Sequence, residues 1–142
     1  MDYTPFLDLS LYGLRIATPD DILRIGIVAS AGFQCSPIFK FERPLHTKYP
    51  GDTLLSYRTQ FKADIESDDF VVLVCEYAYD PLENEKTKAK IPMDNGWTPP
   101  EAGKSVVVGV MSLRLEPDSP RRGKFKNHSG ELFYLLVLDY VN

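Results

Sequence analysis

The feature that most constrains the fold lies between Leu14 and Phe33. Thr18-Pro19-Asp20-Asp21 joins an N-cap hydroxyl, a proline suited to the first helical position and two carboxylates in the first turn, where the helix dipole favours negative charge. Ile22, Ile25, Val28, Ala29 and Phe33 then recur at helical spacing, so a helix opens here with one apolar face, and Pro37 ends any continuation. Just upstream, Leu14-Arg15-Ile16-Ala17 alternates apolar and polar, as a strand with one buried face does. A strand that feeds straight into an amphipathic helix sets up an α+β chain.

The remaining elements follow the same logic. After a stretch rich in aromatics and prolines (Phe39, Phe41, Pro44, Tyr49, Pro50), Asp52 is placed to cap a second helix carrying Leu54, Leu55, Tyr57 or Arg58, Phe61 and Ile65. Phe70 to Cys75 is a β-branched run of the kind found in central strands. Residues 78–104 turn polar and proline-rich, with Asp94-Asn95-Gly96 and Pro99-Pro100 as turn signals, which predicts a long surface excursion; Trp97 is read as the anchor that pins it. Ser105 to Glu116 is a strand, the antiparallel partner of the one before it. A second surface stretch, 118–130, leads to Leu132 to Leu138, a continuous apolar run that predicts a buried strand. The predicted order is one strand, two helices, then three strands, within a single domain over 1–142.

Composition narrows the function. With 142 residues, the chain can bury roughly two thirds of its unfolded surface as one domain. A formal net charge of −4 argues against nucleic-acid binding, which needs a concentrated basic face, and the run Arg121-Arg122-Gly123-Lys124 with Lys126 is too short to supply one. The N-terminus has neither a basic n-region nor a long apolar run, so no membrane span and a cytoplasmic location are expected. Cys35 and Cys75 lack the companion cysteines and histidines of a zinc site, so no metal is expected and both are read as reduced thiols. His46 and His128 are the sole imidazoles; Cys35 with His46 lacks a third group to orient it as a nucleophile pair.

Several segments together carry a resemblance. Leu14 to Ile22, Ala31-Gly32-Phe33 with Ser36-Pro37, Tyr49 to Arg58, Pro92 to Trp97 and Val106 to Leu113 resemble, in order and in element length, the opening half of the GNAT superfamily of acyl-CoA N-acyltransferases, in particular the acetyltransferase-like proteins of filamentous fungi. The resemblance covers roughly residues 14 to 117, and it rests on order rather than on one diagnostic motif. It implies a three-layer α/β fold of GNAT type, here with a truncated, mixed but mainly antiparallel sheet and two helices after the first strand.

It also implies a chemistry: transfer of an acetyl group from acetyl-CoA to a small-molecule amine. The coenzyme's pyrophosphate is held in this family by a Q/R-x-x-G-x-G/A turn at a helix N-terminus, where backbone N–H groups face the anion. That segment is expected downstream of Asn142. Arg121, Arg122 and Gly123 offer a weak likeness to it, without the second glycine. Between the first two helices the family borders its acceptor pocket, which nominates Phe39, Phe41, Glu42, Arg43, His46 and Tyr49 for substrate binding; the alternative is that these aromatics cap the core. Glu76 is the weak candidate for a general base, against a reading as a strand-end carboxylate. The absent coenzyme segment keeps a second function open, a non-catalytic binding module that pairs with a second copy or a partner subunit through an exposed sheet edge.

Overall fold

The computed structural model describes residues 13–125. These form three strands, β1 (Leu14–Ile16), β2 (Phe70–Ala78) and β3 (Ser105–Arg114), and four α-helices, α1 (Ile22–Phe33), α2 (Pro37–Glu42), α3 (Pro50–Glu66) and α4 (Glu83–Lys86). The sheet runs β1-β2-β3 with both pairs antiparallel; Arg15 faces Val74, and Leu73 faces Met111. This is the α+β arrangement expected, with an antiparallel sheet. The predicted strand at Leu132 to Leu138 lies outside the described residues.

Glycine opens the sheet. Gly13 sits at φ 68°, and a Cβ there would fall 2.5 Å from the Glu76 carbonyl oxygen. Without a side chain, the Gly13 carbonyl accepts the Glu76 N–H at 2.8 Å and β1 starts in register against β2. On the other side of β2 the register slips once, because Cys75 faces Gly109 while Glu76 faces Val107, leaving Val108 as a bulge.

Both long helices pack on one face of this sheet. Val72 and Val74 of β2, Val107 of β3 and Ala17 meet Ile25 and Ala29 of α1 and Tyr57, Phe61 and Ile65 of α3. Ile25 and Val74 are fully buried, and each such side chain contributes about 1.5–3 kcal/mol of transfer free energy. α1 and α3 come close because Gly26 leaves room for Arg58, whose Nη2 and Nε donate to the Leu23 carbonyl at 2.9 and 3.2 Å.

Four sequence expectations shift. A 3-10 turn at Pro19–Asp21 precedes α1, with Thr18 in its N-cap position as expected, and Asp21 completes a capping box by accepting the Thr18 N–H at 2.8 Å. Pro37 starts α2 rather than only stopping α1, since a proline in the first turn loses no helical bond. α3 begins at Pro50, with Tyr49 in the cap position and Asp52 inside the first turn. Finally, Phe33 and Leu55 stay exposed although their spacing fits a buried face.

Candidate functional site

The segment between α1 and α3 builds an aromatic stack with a cation on it. Phe33 at the end of α1 stacks on Tyr57 of α3 with centroids 5.6 Å apart, and Phe39 of α2 lies nearly parallel to Tyr57 at 6.5 Å. The Arg43 guanidinium rests 4.3 Å over the Tyr57 ring and donates to Glu42 at 3.0 Å and to Ser56 Oγ at 2.8 Å. His46 meets Phe39 edge to face at 4.9 Å, and its Nδ1 is 2.8 Å from the Arg43 carbonyl. A carbonyl only accepts, so Nδ1 carries the proton and Nε2 of the neutral ring is left as an acceptor. Burial holds the Tyr57 hydroxyl above its usual pKa.

Of the six residues nominated for substrate binding, the fold thus joins Phe39, Glu42, Arg43 and His46. Phe41 points into solvent at 86% exposure, and Tyr49 is exposed beside Lys48. Phe39 itself is buried. The stack therefore caps the core and at the same time presents Arg43 and His46 at its rim.

Beside it lies a groove of about 730 Å³. The C-terminal half of α1 forms one wall, the bulged part of β3 the floor, and residues 83–88 the other wall. Phe33 links groove and stack, because it lines the first and belongs to the second. Arg24 and Gln34 are the buried polar side chains on its walls. Arg24 donates to the Val107 carbonyl at 2.8 Å, makes a bidentate pair with Glu83 at 2.5 and 2.8 Å, and stacks 4.4 Å from the Trp97 ring centroid. Trp97 is thereby the anchor of the excursion that its surroundings predict.

Glu76 stands elsewhere. Its Oε1 accepts from Arg15 Nη2 at 2.9 Å and Nε at 3.1 Å, and the same guanidinium grips Asp21 at 2.7 and 2.8 Å. No hydrogen bond or ion pair among the described residues joins Glu76 to the stack. The basic turn is engaged too: Arg122 pairs with Asp69, and the Gly123 N–H donates to the Asp68 carbonyl at 3.0 Å. That amide is turned to the protein's own backbone rather than outward to an anion. Cys35 is exposed at the groove and Cys75 is half-buried. Among the described residues no cluster of three His, Cys, Asp or Glu could hold a metal.

Comparison with known proteins adds what geometry cannot. No protein-family profile matches the chain, and no solved structure matches it. Among curated proteins, an acetyltransferase of Stachybotrys chartarum (strain CBS 109288 / IBT 7711) is 30% identical over 123 residues. Over those residues the chain is similar to an acetyltransferase. The similarity covers 87% of the chain but 42% of that relative, so the chain spans less than half the relative's length. No helix among its described residues is long and apolar enough to cross a membrane.

The sequence missed Arg24 and Arg15. Each is a cation in a locally apolar run with a partner far along the chain, Glu83 59 residues from Arg24 and Glu76 61 residues from Arg15. No local spacing signals such a pair; a buried helical arginine becomes visible only once the sheet has formed.

Proposed function

We propose that this chain supplies the acceptor side of an acetyl-CoA-dependent N-acetyltransferase of the GNAT type, acting on a small-molecule amine. The observation that carries the reading is the 123-residue similarity to a protein described as an acetyltransferase, supported by the succession of strand, helices and antiparallel strands. Arg43 and His46, at the rim of the stack and next to the Phe33 end of the groove, are the groups that would orient the acceptor. Acetyl-CoA, when bound, would supply the thioester acyl group. The basic turn does not fit its pyrophosphate, since Arg122 and the Gly123 N–H are committed to Asp69 and Asp68. The coenzyme's phosphates therefore belong, on this reading, to parts of the domain other than the described residues.

The commitment of Glu76 and of the basic turn favours a second reading: a GNAT-derived module that binds without catalysing and pairs with a second copy or a partner chain along β3.

Calorimetric titration with acetyl-CoA, followed by thiol release in the presence of a panel of amines, separates the two. On the first reading coenzyme binds, amines release thiol, and Arg43→Met raises the acceptor KM several-fold while leaving coenzyme binding unchanged. Coenzyme binding without amine-dependent thiol release by a cooperatively folded chain overturns it in favour of the second.

A further inference from the structure

Arg24 does more than fill a place in the core. It is 5% exposed, and its three contacts come from two different parts of the molecule. One is the Val107 carbonyl, at the bulge of β3. The Glu76 N–H is spent on Gly13, so the Glu76 and Val107 pair exchanges no hydrogen bonds and the Val107 carbonyl turns away from β2. Arg24 satisfies it from the sheet's outer edge. The other two contacts, Glu83 and Trp97, both belong to the excursion between β2 and β3.

That excursion is organised within itself. Its neck is closed by two backbone bonds, Tyr79 N–H to the Lys104 carbonyl at 2.8 Å and Gly103 N–H to the Tyr79 carbonyl at 2.9 Å. Inside the neck, Asp80 pairs with Lys86 and accepts the Leu82 N–H at 2.9 Å, which fixes the turn carrying Glu83. Asn95 accepts the Trp97 N–H at 2.9 Å while donating to the Pro92 carbonyl at 2.8 Å, and the Trp97 ring meets Tyr79 edge to face at 5.8 Å. Across the groove, the polar link between this segment and α1 is the Arg24 guanidinium.

We propose that residues 80–102 form a strap that opens and closes as one unit over the groove between α1 and β3, with Arg24 as its latch. The closed strap makes a groove wall of Glu83, Asn84, Thr87 and Lys88. On opening, the guanidinium keeps its bond to Val107 and exchanges the Glu83 carboxylate for water, so the cation is never left both buried and unpaired. The neck holds the ends of the strap while its middle moves, and the helices and sheet stay as they are.

Hydrogen exchange followed by mass spectrometry on the whole chain tests this. Arg24→Met would strip the Val107 carbonyl as well and could unfold the chain, so the variants are Glu83→Ala, which removes the ion pair, and Trp97→Leu, which removes the ring under Arg24 together with its Tyr79 contact; both leave Arg24 on β3. The expected result is that peptides within 80–102 exchange on the order of tenfold faster in each variant, whereas peptides of α3 and β2 keep their wild-type rates. Unchanged exchange in 80–102 overturns the latch. A rise shared equally by α3 and β2 overturns the separate strap, because the excursion would then be part of the core.

Discussion

The guanidinium of Arg15 ties three parts of the chain, β1, the start of α1 and the far end of β2, through Asp21 and Glu76. Burial alone would raise the Asp21 carboxyl, but the paired bonds from Arg15 and the Thr18 N–H outweigh it and hold the group below the usual carboxylate range. Arg15 is shifted up, first by its bonds to Asp21. A folded-state pKa below the unfolded one, about 3.9, gives stability that is present in full above that value and disappears as pH falls through the folded value. Urea unfolding of the wild type should therefore show a loss of stability below about pH 4 that Asp21→Asn lacks in large part. At pH 7 the same variant should lose about 2 kcal/mol, less than a fully buried pair would, because the Arg15 side chain is 36% exposed. An identical pH slope in the two chains would show that Asp21 is not the group that titrates.

At the scale of elements, the contact of α1 with α3 depends on a missing side chain. A Cβ on Gly26 would stand 2.7 Å from Arg58 Cγ and 2.9 Å from its Nε, so Arg58 would have to leave the Leu23 carbonyl. Alanine in mid-helix is worth about 1 kcal/mol over glycine, and the lost packing and hydrogen bonds exceed it. Gly26→Ala should destabilise by roughly 1 kcal/mol, and in an Arg58→Ala background the same change should stabilise; a double-mutant cycle by thermal melts reads the coupling. This pairing shows where sequence reading stops. Strands and α1 were legible because period-2 and period-3.6 patterns are local, and Thr18 to Asp21 is a local start signal. The extra helix α2 was not, because six residues carry too little periodicity and its proline reads equally as a stop. The candidate site was half legible: aromatics between helices signal a cluster, but only the packing of Tyr57 decides that Phe39 turns in and Phe41 turns out.

For the whole molecule, the asymmetry of the sheet matters most. Ser112 Oγ donates to Asp64 of α3 at 2.7 Å, so Ser112 faces the helices, and its neighbours Met111 and Leu113 face away. Both are large, apolar and exposed, at 50% and 44%. Among the described residues no helix lies on that side, and β3 is the outermost strand of the sheet. Exposed apolar side chains along an outer strand draw in other chains, and lysine at such positions opposes this by resisting desolvation. If β3 is the pairing surface of the second functional reading, sedimentation equilibrium should give an average mass that climbs above 16.1 kDa with concentration. The variant Met111→Lys with Leu113→Lys should then stay near 16.1 kDa over the same range, with a melt close to wild type, since both positions already meet water. A wild-type chain that holds 16.1 kDa at every concentration would overturn self-association through β3.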